Sequence, residues 1–226
     1  MPSTDLTRTS PLEQRAPEVI GLLKQEYRGA RVALEFSNPL ECLVATILSA
    51  QATDKKVNEV TQGFLFAKYR TAQDYLKVPE SELAADLKPT GFFNQKTRAI
   101  RGACQMIVEE FEGEVPDSMA ELIRLPGVAR KTANIVLWNS YPEKAKTDTD
   151  AGIAVDTHVR RVSQRLGFTT QKDPNKIERD LMEVLPREDW MPISYVFIDH
   201  GRAVCKAPTP KCEDCVVNQL CPSSRV

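Results

Sequence analysis

The sequence predicts an all-α protein, on three observations. Apolar residues recur at three- and four-residue spacing along most of the chain, helix start signals precede those stripes, and no alternating run is long enough for a sheet. Short polar connections join roughly ten such helices, as in a helical assembly. At 226 residues, 42% hydrophobic and 27% charged, the chain can bury a sizeable core. Lys plus Arg number 30 and Asp plus Glu 31, a formal net charge of −1. That excludes a binder working by bulk positive charge, and a nucleic-acid partner would need a local basic face. Met1 to Pro11 lacks the apolar centre of an export signal. Leu40 to Ala50 is short and contains Glu41, so no membrane span is expected. The expected compartment is a reducing cytosol.

In chain order, residues 1–12 read as a disordered tail rich in Ser, Thr, Asp and Pro. Ala16, Val19, Ile20 and Leu23 mark the first helix. Asn38-Pro39-Leu40-Glu41 combines a capping Asn, a proline in the first turn and a following Glu, and opens a helix apolar nearly all round, hence central. Val57, Val60, Phe64 and Leu65 form the next stripe, and Ala99, Ile100, Ala103, Met106, Ile107 and Phe111 a longer one. Ser118 to Glu121 reads as a capping box. Ala133, Ile135 and Val136 follow Pro126-Gly127, and Tyr141 to Gly152 reads as a polar, flexible loop. Val159, Val162 and Leu166 continue the pattern. Asp173-Pro174 starts the helix of Ile177, Leu181 and Val184, and Trp190 to Val204 is the last long helix.

Four groups of residues carry chemistry. Leu125 to Ala133 (LPGVARKTA) places a Pro-Gly hairpin before a helix, where Gly127, Ala129 and Arg130 surround exposed amides suited to a phosphate. Such contacts position DNA without reading sequence; a plain helix–turn–helix corner is the bland alternative. Lys131 lies in the first turn, where the positive helix end disfavours a protonated amine. A neutral, desolvated lysine attacks aldehyde or aminal carbons, whereas an ordinary surface lysine touches phosphate. Asp156, in Val155-Asp156-Thr157-His158-Val159, is an N-cap, and its carboxylate can also steady a developing cation. His158 and His200 read as structural histidines.

Cys205, Cys212, Cys215 and Cys221 stand as C-x6-C-x2-C-x5-C, spacing that can close on a tetrahedral zinc or an iron–sulfur cluster. One C-x2-C flanked by wider gaps suits the larger group, and a reducing compartment disfavours two disulfides. Cys42 and Cys104 read as buried fillers. Gln51, in Leu48 to Asp54 (LSAQATD), sits at a polar break that is otherwise a capping turn on Thr53 or Asp54.

Together, LSAQATD, LPGVARKTA, VDTHV, His200-Gly201-Arg202 and the cysteine tail resemble the endonuclease III family of DNA glycosylase/AP lyases, in the helix-hairpin-helix superfamily. The resemblance spans Glu13 to Cys221. It implies a two-lobed fold: a six-helix barrel with the hairpin over residues 32–150, and a lobe of 13–31 plus 151–226 holding a 4Fe-4S cluster on the four cysteines, with the active site in the cleft between. It implies excision of oxidised pyrimidines from duplex DNA in base excision repair, with base flipping, a Schiff base on Lys131 and β-elimination, Asp156 assisting. Gln51 would fill the gap left by the flipped nucleotide and Phe92 would wedge beside the orphaned base. The cluster is expected to be structural.

The partner implied is double-stranded DNA carrying a damaged base or abasic site, bound by a monomer in the bacterial cytoplasm with the chromosome. Three departures from the family stand out: Phe92 where an aliphatic residue is usual, Ala129 where many relatives have Gly, and a longer 141–152 loop. Lys131, where adenine-specific relatives carry Ser, argues for lyase activity beside base excision. A non-enzymatic DNA-scanning protein and a zinc-stabilised helical module are the competing classes.

Overall fold

Local start signals act as the sequence predicts. The Asn38 side chain accepts the Glu41 N–H at 2.9 Å, Thr53 that of Lys56 at 3.2 Å, and Asp173 those of Asn175 and Lys176 at 3.0 and 3.1 Å. The structure, a computed structural model, describes residues 6–226 and is all-helical over them.

The α-helices are α1 (Leu12–Glu26), α2 (Pro39–Leu48), α3 (Asp54–Val60), α4 (Phe66–Lys68), α5 (Ala72–Lys77), α6 (Glu80–Leu87), α7 (Phe93–Glu110), α8 (Met119–Leu122), α9 (Arg130–Ser140), α10 (Pro142–Thr147), α11 (Thr157–Arg165), α12 (Pro174–Val184) and α13 (Trp190–Ala203). Among these residues no helix is long and apolar enough to cross a membrane.

The chain divides into two compact units, one running from Val32 to Ala151, the other taking the chain up to Arg31 and from Gly152 to Val226. In the first, α2 is the centre: Cys42 to Leu48 are all buried, and α7 and α9 pack on it. Tyr69 and Tyr75 stack at 4.8 Å in the same core, with Leu83, Ile100, Ile107 and Leu137. In the second unit α13 packs on α11 and α1, burying Val19, Leu23, Val159, Ile193 and Phe197.

Several expectations meet a different outcome. Of residues 1–12, residues 1–5 lie outside the described part; Thr7 and Ser10 close a turn at 3.1 Å, Arg8 donates to the Val226 carbonyl at 2.7 Å, and Leu12 already begins α1. The 141–152 segment is not a loop throughout. Pro142 sets the first turn of α10, Glu143 pairs with Lys146, Ala145 is buried, and Asp148 accepts the Met119 N–H at 2.7 Å. Its charge suggested a loop, but its residues are helix formers. Phe64 also departs from its stripe: a π-helical turn over Thr61–Leu65 widens the helix, leaving Phe64 38% exposed and Leu65 fully buried.

Candidate functional site

The hairpin of the first unit is anchored by buried Leu125 and Val128, while Pro126 and Gly127 between them and Ala129 just after them are exposed. Gly127 has φ +80°, and a Cβ there would stand 2.5 Å from the Ala99 Cβ, so glycine is required twice over. Small residues on α7 allow this approach; a Cβ on Gly102 would meet Pro126 at 3.0 Å.

Ala129 is the N-cap of α9, at φ −90° and ψ 169°, with no side-chain cap bond. That φ suits any L-residue, so the methyl group that replaces the usual glycine adds no backbone strain. The uncapped end presents first-turn amides outward, the arrangement that receives an anion. Lys131 stands exposed in that first turn. Arg130 is engaged within the protein: its Nη2 donates to the Asp150 carbonyl at 2.9 Å.

Two further predicted residues lie in the same unit, and both are strained. Gln51 (φ 53°) and Phe92 (φ 47°, ψ 29°) occupy the left-handed region, which bulky residues avoid. Gln51 is exposed on the turn between α2 and α3. Phe92 is 58% exposed at the start of α7, directly after Gly91 at φ 70°. Below it Lys96, buried, donates to the Thr90 carbonyl at 2.7 Å and steadies the turn.

In the other unit Asp156 is the N-cap of α11. Its Oδ1 accepts the N–H groups of His158 and Val159, each at 2.8 Å, leaving Oδ2 outside those bonds. The next turns face the cysteine loop. Arg161 donates to the Cys205 carbonyl at 3.0 Å and the Gly201 carbonyl at 2.9 Å, and lies 3.1 Å from the His158 Nδ1. Arg165 donates to the carbonyls of Cys205 and Lys206 at 3.2 and 2.8 Å, and to the Cys205 Sγ at 3.3 Å. The sequence suggests that Arg160, Arg161 and Arg165 make α11 a basic face. Only Arg160 is exposed; the other two hold the loop.

The four clustered cysteines are free thiols that line one hollow with His200, Arg165 and Asn218. Burial pushes the Cys215 thiol up to about 11 and raises that of Cys221. Deprotonated sulfurs here therefore need a cationic partner, and a metal centre supplies one. Among the described residues no three His, Cys, Asp or Glu side chains gather to hold a single ion. His200 is buried, its Nδ1 3.1 Å from the Tyr27 hydroxyl and its Nε2 3.6 Å from the Cys215 Sγ. Burial lowers its pKa to about 4, so it is a neutral, structural ring at neutral pH.

The arginines that hold this loop were missed from sequence. Arg161 and Arg165 are spaced i, i+4, and Arg15 shares a stripe with Val19 and Leu23, so a periodic face was the available signal.

Comparison with known proteins places these features in context. Residues 44–187 match the HhH-GPD superfamily of base excision DNA repair proteins. The chain is 48% identical to endonuclease III of Synechocystis sp. over 99% of both chains. It is 45% identical to that of Bacillus subtilis, covering 85% of this chain and 84% of the relative. A solved non-covalent endonuclease III–DNA complex is 39% identical, with a TM-score of 0.87 over 94% of this chain and 96% of that one. A thermostable thymine-DNA glycosylase, 22% identical with a TM-score of 0.81 over 93% of this chain and 97% of that one, shares the fold.

Proposed function

This chain belongs to the endonuclease III family of DNA glycosylase/AP lyases, within the HhH-GPD superfamily of base excision DNA repair proteins, and on that premise we propose that it removes oxidised pyrimidines from duplex DNA and cuts the strand beside the gap. The observation that carries this reading is the exposed lysine in the uncapped first turn of a helix, following a hairpin that only glycine can form.

The amides at the start of α9, with Gly127 and Ala129, receive a backbone phosphate. A damaged nucleotide swings out of the stack, a motion that costs less for a damaged base. Gln51 fills the space it leaves, and the exposed ring of Phe92 wedges beside the orphaned partner and stacks on it. Lys131 Nζ, as a free amine, attacks C1′ of the sugar. The C1′–N bond breaks, and the base leaves with its electron pair and takes up a proton. The sugar ring opens to an iminium, a Schiff base on Lys131. Loss of a C2′ proton then expels the 3′ phosphate by β-elimination, and water releases the lysine. Asp156, fixed through Oδ1 by two backbone N–H groups, offers its remaining oxygen to the positive charge developing on the sugar. Arg130, tied to the Asp150 carbonyl, steadies the start of α9 as well as adding charge near the phosphate.

Cys205, Cys212, Cys215 and Cys221 fit a 4Fe-4S cluster by donor type, by their free thiols and by the hollow they share. The cluster, when bound, ties the C-terminal loop together, and the lysine reaction balances without an oxidant or reductant. The enzyme acts as a monomer on chromosomal DNA in the bacterial cytoplasm, and sedimentation at a single-chain mass is expected.

The test is borohydride trapping on a duplex with one thymine glycol, using the wild type and Lys131→Ala. A covalent adduct is expected for the wild type, and strand cleavage without borohydride. Lys131→Ala is expected to lose both by at least 10³-fold, roughly the worth of a covalent nucleophile, and to keep its duplex affinity within a few-fold. Equal trapping by the variant would remove Lys131 from the mechanism. Trapping on an abasic site but not on thymine glycol would keep the lyase and discard the assigned lesion class.

A further inference from the structure

Arg15 is an anomaly in the second unit. It lies on α1, is 4% exposed, and forms no ion pair with a carboxylate among the described residues. Its Nη1 donates to the Leu166 carbonyl at 2.6 Å and the Leu220 carbonyl at 3.3 Å. Its Nε is buried and has no partner. A guanidinium carries five N–H donors and stays charged, so two neutral carbonyls leave most of its charge unanswered. A buried cation in that state is costly unless a negative group stands near.

The surroundings supply one candidate. Leu166 ends α11, just after Arg165, and Leu220 precedes Cys221. Gly167, at φ +70°, opens the place into which the guanidinium fits: a Cβ there would stand 2.8 Å from the Arg15 Nη2. Backbone, glycine and arginine are therefore arranged to bring one positive charge behind the cysteine loop. Four thiolates outweigh the positive charge of the metal core that they hold, so the loaded centre is a net anion.

We propose that Arg15 is a positioning residue for the cysteine-held centre: it is the buried counter-charge that keeps the loaded cluster in place and raises its reduction potential, while its two bonds from Nη1 tie Leu220, the residue before the last cysteine, to the end of α11. This rests on the reading of Cys205, Cys212, Cys215 and Cys221 as cluster ligands. Arg165 bonds the Cys205 sulfur from a half-exposed position, whereas Arg15 acts from the buried side, where water screens its field least.

The full-length protein, purified with its iron, tests this through Arg15→Met and Arg15→Lys. The readouts are iron per chain, visible absorbance and the one-electron midpoint potential measured by film voltammetry. Arg15→Met is expected to lose iron faster to a chelator and to show a lower midpoint, because removing a positive charge disfavours the more reduced state. Arg15→Lys keeps the charge and is expected to restore a midpoint near the wild type's.

A Met variant with wild-type iron and midpoint would overturn the proposal. Where the Met variant yields no folded protein, the Lys variant decides. A wild-type midpoint supports the proposal. A folded but colourless Lys variant, or one whose midpoint falls although the charge is kept, overturns it. A wild-type chain without iron overturns the cluster reading and this inference together; a loaded wild type that matches the Met variant overturns this inference alone.

Discussion

Phe92 holds a left-handed backbone while more than half of its ring stands in solvent, so neither conformation nor burial explains its presence in terms of stability. Strain of this kind costs about 1–2 kcal/mol for an L-residue, and glycine removes it at an entropic cost of about 0.5–1 kcal/mol. Phe92→Gly is therefore expected to melt at or slightly above the wild-type temperature and to excise lesions at least tenfold more slowly. A variant that melts well below the wild type and excises normally would show that the ring serves the fold. Asp156 teaches a related lesson at the same scale: its N-cap bonds use one oxygen, so capping and charge stabilisation need not compete. Arg161 and Arg165 carry the opposite one. Their charge was legible in the sequence as a basic face, but their side chains close on backbone carbonyls forty or more residues away in the chain.

Elements with local start signals are the ones legible in sequence. α2, α3 and α12 begin where Asn38, Thr53 and Asp173 cap them, because a cap needs only the next three residues. α5 carries the same kind of signal. Thr71 and Asp74 form a reciprocal capping box, with the Thr71 N–H donating to the Asp74 carboxylate at 3.0 Å. Bonds from Lys77 and then Thr71 pull the Asp74 carboxyl down to about 2, below its ordinary 3.8. The folded state then binds its proton less readily than the unfolded state, so this stabilisation is present above about pH 4 and fades between there and pH 2. The side chain is well hydrated, so the effect is small. Asp74→Asn should melt below the wild type at pH 6, and the gap should narrow steadily toward pH 3. A gap that is constant over that range would assign the difference to hydrogen bonding instead of charge. The π-helical turn at Thr61–Leu65 was out of reach, since a 3.6-residue stripe fitted Phe64 and Leu65 equally well and only packing against the core selected Leu65.

At the scale of the whole molecule, each unit has a core of its own, and the cysteine hollow belongs entirely to the one made from α1, α11, α12 and α13. Stripping iron from the loaded protein is expected to weaken amide protection in those helices and in the 204–226 loop, with α2, α7 and α9 keeping theirs; hydrogen exchange by mass spectrometry reads this directly. Equal loss in both units would make the cluster a stabiliser of the entire chain. The sequence by itself determined the all-helical class, the family, the hairpin, and which cysteines, lysine and carboxylate to examine, because periodicity, caps and motif spacing are all written within a few neighbouring residues. Only the tertiary structure decided that Gly127 must be glycine against Ala99, that Phe92 is strained and exposed, that Arg161 and Arg165 are committed to the cysteine loop, and that Arg15 is buried behind it with no carboxylate among the described residues. Those outcomes depend on which distant backbone carbonyls and side chains folding brings within bonding distance, and no local pattern encodes that.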